Sequence, residues 1–197
     1  DGCIRYTDSE VGKLLDKLRR LGLYDRSLIV VTSDHGEEFA ERGRFMHFKA
    51  GYEEFVRVPL ILKLPGSRHR GLRVPHLAAM VDLMPTVLDA AGVAAGDEVQ
   101  GRSLLPAIER DVPVRQAVHV HNVLRTERWK YFLEGNRLYD LDVDPGDITC
   151  WENGWNAFNR VLGPARAKRA VTELACWVRA TRAAASRRIQ YDLAATR

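Results

Sequence analysis

The chain has 197 residues, of which 46% are hydrophobic and 28% charged, with a formal net charge of +4. That suffices for one domain, or a large piece of one with an appendage, of ordinary globular composition. No run approaches the roughly 18 apolar residues that a membrane span needs. The N-terminal DGCIRYTDSE lacks the basic start and apolar core of a signal peptide, and its abrupt helical opening reads as a cut chain. Lys and Arg are scattered among nearly as many Asp and Glu, which argues against a nucleic-acid partner. Cys3, Cys150 and Cys176 are far apart and lack metal-ligand spacing; they read as buried or half-buried thiols.

In chain order, Val11, Leu14, Leu15, Leu18 and Leu21 share one face at helical spacing, which predicts a helix over 8–21 stopped by Gly22. Leu28 to Thr32 is a short apolar run that predicts a parallel strand buried on both faces. Residues 36–56 carry little periodicity and read as an ordered loop with one helical turn. Val58 to Leu64 predicts a second buried strand, and residues 67–76 a polar loop. Leu77 to Ala91 predicts a helix in which Pro85 imposes a kink or a late start. From about residue 107 the texture changes. Strands are predicted over 117–122, 128–134 and 137–141, with Gly135-Asn136 as a hairpin turn and a terminal helix over 165–188. The pattern divides at about residue 108, into an α/β part over 1–108 and a small α+β part over 109–197.

The chemistry-bearing residues follow the first strand. Asp34 and His35 stand at its carboxyl end, where α/β proteins build sites. A carboxylate beside an imidazole is one way to hold a divalent cation. Such an Asp also caps turns and such a His also serves as a hydrogen bonder, so the Asp-His-Gly tripeptide alone leaves these readings open. His47 and Lys49 follow in the irregular loop, then Tyr52-Glu53-Glu54 and Arg57-Val58-Pro59.

The whole run SDHGEEFAERGRFMHFKAGYEEFVRVPLIL resembles a segment of the sulfatases, in the alkaline-phosphatase-like superfamily. IRYTDSEVGKLLDKLRRLGLYDRSLIVVTSD, VDLMPTVLDAAG, QGRSLLP and RTERWKYFLEGNRLYDLDVDPGD are similar to family segments in the same order, so the resemblance covers roughly residues 4–147. It implies an α/β fold: the C-terminal portion of an α/β/α sheet, then a small antiparallel sheet with a terminal helix. It implies metal-dependent hydrolysis of sulfate esters, on a small molecule or glycan, by the full-length parent. Phosphate or phosphonate hydrolysis, phospho-transfer and a non-catalytic module are the alternatives.

Residue by residue, the resemblance makes Asp34 and His35 ligands of a divalent metal. Ca²⁺ or Mg²⁺ suits the carboxylates, and the imidazole admits Mn²⁺ or Zn²⁺. Lys49 would contact sulfate oxygens, and His47 would neutralise the sulfate or protonate the leaving oxygen. The family's nucleophile is a Cys or Ser converted to formylglycine. Its N-terminal Cys-x-Pro-x-Arg motif and two further acidic ligands have no counterpart in these residues. This chain alone is therefore expected to be inactive, and poorly soluble, oligomeric or paired with an N-terminal part.

Other residues carry plainer readings. Glu37, Glu38, Glu53 and Glu54 read as solvated rather than as supports of the site, and Arg57 as a structural ion-pair partner. His69 and His76 read as exposed loop residues. His119 and His121 share one face of a strand, where packing competes with chelation. Trp129, Trp151, Trp155 and Trp177 read as core or lid.

Overall fold

The computed structural model describes residues 2–43, 45, 46, 51–120, 122–132, 134, 135 and 137–146. In chain order its elements are α1 (Gly2–Arg20), β1 (Ile29–Thr32), β2 (Glu38–Phe39), β3 (Phe45–Met46), α2 (Glu53–Val56), β4 (Leu60–Lys63), α3 (Leu83–Ala90), α4 (Leu105–Arg110), β5 (Val118–Val120), β6 (Val123–Arg125), β7 (Trp129–Phe132) and β8 (Arg137–Asp140). They fall into two units, residues 1–34 with 58–114, and residues 35–57 with 115–197.

In the first unit, α1 begins six residues before the expected start and ends where Gly22 takes a φ of 68°. Gly22 N–H donates to Arg19 O at 3.0 Å and Leu23 N–H to Leu18 O at 2.9 Å, which satisfies carbonyls the helix end would orphan. Its apolar stripe is largely uncovered: Leu15 and Leu18 are half-buried, whereas Val11, Leu14 and Leu21 are exposed. Cys3, expected to be at least half-buried, is an exposed free thiol on this helix.

β1 and β4 pair antiparallel, with Val31 opposite Ile61 and Ile29 opposite Lys63. The expectation of a parallel strand buried on both faces is thus corrected. Parallel neighbours need a crossover of a dozen or more residues, usually helical, but the chain between β1 and β4 forms two short strands and one helical turn. One face of the pair is also open, since Val31 is 43% and Ile61 59% exposed. Lys63 braces the return from α1. Its ammonium donates to the carbonyls of Tyr24, Asp25 and Ser27, the last two at 3.1 Å.

The helix expected over 77–91 starts late. A 3-10 turn (Met80–Asp82) precedes α3, so Pro85 sits in the first helical turn, where its missing N–H costs nothing. Asp82 is fully buried. Its carboxylate accepts Ala79 N–H at 2.8 Å and Arg102 N–H at 2.9 Å. Thr86 Oγ1 donates to Asp82 O at 2.6 Å and accepts Leu104 N–H at 2.9 Å. A Cβ on Gly101 would lie 1.8 Å from Val81 O, so only glycine lets the two backbones meet there. These contacts tie the VDLMPT and QGRSLLP segments into one structure. They also seat α4, which the sequence pattern did not reveal, and Leu104, Ala107 and Val114 form a core with Leu60, Val74 and Ile108.

In the second unit, β5 to β8 form a consecutive antiparallel sheet. The three expected strands lie within it as shorter elements, and β6 is additional. Val123, Phe132 and Tyr139 form its core with Tyr52 against them. The Tyr52 and Phe132 rings lie 4.9 Å apart. A Gly51 Cβ would meet Val123 Cγ2 at 2.4 Å, so this glycine lets the loop settle on the sheet. The expected terminal helix and Asn136 of the hairpin turn lie outside the described residues.

Candidate active site

β1 ends one residue before Ser33, and Asp34 closes the first stretch of the first unit with its side chain exposed. Ser33 Oγ donates to Asp34 Oδ1 at 3.5 Å.

His35 opens the second unit and is likewise exposed. Its Nδ1 lies 2.8 Å from Gly36 O. The carbonyl can only accept, so Nδ1 is the donor and Nε2 carries the lone pair. That is the arrangement a metal-ligating histidine takes, with its other ring N–H held by a carbonyl.

The position of Gly36 follows from its lack of a side chain. Its N–H donates to Phe55 O at 2.8 Å. A Cβ would fall 1.9 Å from Glu54 O, so any other residue would push residues 35–36 off α2.

The acidic residues near this segment are not solvated, which corrects the expectation for Glu38, Glu53 and Glu54. Glu38 is buried, and its Oε1 accepts Arg42 N–H at 3.1 Å. Glu54 accepts Arg42 Nε at 2.6 Å, while the same guanidinium lies 3.6 Å above the Tyr52 ring and donates to Gly146 O at 3.0 Å. Glu53, 6% exposed, meets Lys130 Nζ and Arg125 Nε at 3.0 Å each. Burial pushes its carboxyl up, but the Arg125 hydrogen bond and the Lys130 and Arg125 charges prevail and hold it below its ordinary value. Burying a lysine demands such a carboxylate. The signal in the sequence was the WKYF alternation, which puts Lys130 on the inward face with Phe132.

Arg57, expected to be an ion-pair partner, is exposed and forms no ion pair among the described residues. His69 is exposed as expected, whereas His76 is partly buried and meets Asp111 Oδ1 at 2.8 Å. His119 is half-buried on β5, and Trp129 is half-buried on β7 under the Arg128 guanidinium at 4.7 Å. His47, Lys49, His121, Trp151, Trp155 and Trp177 lie outside the described residues. Among the described residues no group of three or more His, Cys, Asp or Glu is placed to hold a metal. No described helix is long and apolar enough to cross a membrane.

Residues 1–93 match the sulfatase family model. The chain is 32% identical over 167 residues to mouse (Mus musculus) arylsulfatase K, an alignment covering 73% of this chain and 30% of that enzyme. The chain thus spans less than a third of that relative's length. A structure solved with its substrate D-glucosamine-2-N,6-O-disulfate superposes with a TM-score of 0.64 at 25% identity, over 86% of this chain and 39% of that one. The phosphonate monoester hydrolase of Agrobacterium radiobacter superposes with a TM-score of 0.66 at 24% identity, over 84% and 38%, and shows the shared fold alone. In its five sequence segments in family order, its matched residues and its α/β architecture, this chain is similar to the sulfatases.

Proposed function

We propose that the full-length protein containing this chain hydrolyses sulfate esters, on a small molecule or a glycan, with Asp34 and His35 as two ligands of a divalent metal. The observation that supports the metal assignment is the 2.8 Å contact from His35 Nδ1 to Gly36 O, the kind of contact that orients a metal-ligating imidazole. Those two donors fit a Ca²⁺ or Mg²⁺ ion, and the imidazole also admits Mn²⁺ or Zn²⁺. When bound, such an ion would supply positive charge where the sulfate oxygens gather negative charge.

The chain's own groups do the rest. Lys49 neutralises sulfate oxygens as a fixed cation. His47 protonates the departing oxygen or shares the neutralisation, since an imidazole titrates near neutral pH. Gly36 keeps His35 in place through its bond to Phe55. The nucleophile, formylglycine in this family, is not among these residues. A further part of the proposal is that this chain pairs with a second copy or with an N-terminal part.

The test is turnover of an aryl sulfate and the matching aryl phosphate by the full-length protein, with Asp34→Ala alongside and metal affinity measured by calorimetry. Faster sulfate turnover, lost together with metal affinity in the variant, is the expected result. Faster phosphate turnover, or full sulfate turnover by Asp34→Ala, would overturn the reading.

A further inference from the structure

The loop after β4 is the most basic stretch of the described chain. Arg68, His69, Arg70, Arg73 and His76 fall within nine residues that contain no acid. The loop borders a cleft of about 1140 Å³ within the first unit, whose floor includes Leu60, Leu64 and Leu104. Asp25 is the only carboxylate residue among the described residues that line it. Neither Asp34 nor His35 is among the described residues that line it.

Not every cation there is available. Lys63 is spent on three carbonyls, and Arg19 is held by Asp16 at 2.7 Å and lies 4.5 Å above the Tyr24 ring. Arg68 reaches Glu109 at 3.5 Å, and His76 is held by Asp111. Arg70 and Arg73 are exposed and form no ion pair among the described residues.

The backbone that presents them is wound tightly. Gly66, Ser67, His69 and Gly71 have φ of 68°, 53°, 57° and 79°. Ser67 and His69 carry side chains in a region that disfavours them, and such strain persists only where the surroundings over-determine it. Here the loop is pinned at both ends. Gly66 N–H donates to Asp25 O at 2.6 Å, and Val74 joins the Leu104 core. Two unpaired guanidiniums are thus held out from a fixed loop beside an open cleft. That arrangement suits bidentate recognition of sulfate or carboxylate oxygens.

We propose that this cleft is a second anion-recognition surface, which engages further sulfate or carboxylate groups of an anionic glycan through Arg70 and Arg73. The glycan follows from the proposed sulfatase reading and from the lining. Single-stranded nucleic acid needs open aromatic faces to stack on, and Tyr24, the one aromatic residue here, is flanked by Arg19 and by Lys63 at 4.5 and 4.6 Å from its centroid.

The test is fluorescence anisotropy of a short labelled heparin oligosaccharide titrated with the full chain in EDTA, across a salt series. EDTA removes any contribution from a metal, so the result stands apart from turnover. Wild type binds, with affinity falling as salt rises. The double variant Arg70→Ala/Arg73→Ala loses about tenfold in affinity and about 1.5 from the log–log salt slope, as expected for two lost ionic contacts. The control Lys17→Ala/Arg20→Ala, on the exposed face of α1, stays within about twofold, and all variants keep the wild-type circular dichroism spectrum. A single-stranded oligonucleotide of equal charge binds more weakly. Absent glycan binding, equal loss in the control, no loss in the double variant, or tighter binding of the oligonucleotide would each overturn the proposal. Loss of aryl sulfate turnover with glycan binding intact would count against the sulfatase reading alone.

Discussion

Glu53→Gln is the sharpest test of how the second unit is held together. Lys130 is fully buried and its ammonium meets Glu53 Oε1 at 3.0 Å. Arg125 Nε reaches the same oxygen at 3.0 Å, and its Nη2 reaches Oε2 at 3.4 Å. The substitution keeps the shape but removes the one negative charge that two cations share. It also turns an amide N–H₂ or a weaker acceptor toward a buried ammonium. Leaving a buried charge uncompensated costs about 3–5 kcal/mol, against a total stability of about 5–15 kcal/mol for a typical domain. At roughly 2–4 °C per kcal/mol for a chain of this length, Tm should fall by about 6–20 °C. Urea denaturation gives the free energy, and hydrogen exchange of the β6–β8 amides should localise the loss to this sheet. The pH dependence carries a sign. The folded Glu53 carboxyl is held below its ordinary value of 4.5, so its contribution is complete above the unfolded value and is lost as pH falls through the lower, folded one. Glu53→Gln should therefore flatten the acid limb of the stability curve. A cost under about 1 kcal/mol, with the acid limb unchanged, would refute the role of this carboxylate. The double change Glu53→Gln/Lys130→Met should recover part of the loss, because the buried ammonium that Glu53 compensates is then gone.

Three further outcomes are expected. Gly36→Ala sets a Cβ 1.9 Å from Glu54 O, so it should destabilise by about 1–3 kcal/mol and lower metal affinity in calorimetry through displacement of His35. Asp82→Ala strips the acceptor from the Ala79 and Arg102 amides, and should cost about 2–4 kcal/mol in urea denaturation, with Asp82→Asn costing less. Val31→Thr/Ile61→Thr makes the open face of the β1–β4 pair more polar, and should shift a self-associated chain toward smaller species in size-exclusion chromatography.

Much of this fold was legible because its signals are local. The apolar stripe and Gly22 marked α1, Pro85 marked the late start of α3, and Gly135 marked the β7–β8 turn. The strand pairing was not legible. Runs such as LIVVT and PLILKL are apolar enough for burial on both faces, but direction is set by where the intervening chain returns, which periodicity does not encode. α4 escaped because its LLPAIER segment is short and opens on proline, and β6 because VLR is only three residues. The same division runs through the site. Asp34 and His35 stood out as a strand-terminal pair, whereas the tasks of Glu38, Glu53 and Glu54 depend on partners 4–77 residues away. An isolated glutamate in sequence carries no mark of the arginine or lysine that will meet it.

The segments that resemble a sulfatase are therefore of two physical kinds. Asp34 and His35 are exposed, and their chemistry faces outward. Tyr-Glu-Glu and the RWKY–LYDLDVDPG hairpin instead hold each other: Glu53 takes Lys130, and Tyr52 receives the Arg137 guanidinium hydrogen bond at 2.8 Å. VDLMPT and QGRSLLP do the same in the first unit through Asp82, Thr86 and Gly101. A motif match at these positions thus reports a shared scaffold, not a shared reaction. The proposed chemistry rests only on the Asp-His-Gly segment and on the His47 and Lys49 that follow it in sequence. For that reason the ester preference must be decided by turnover, because a phosphonate hydrolase with the same scaffold superposes as well as a sulfated-sugar complex does.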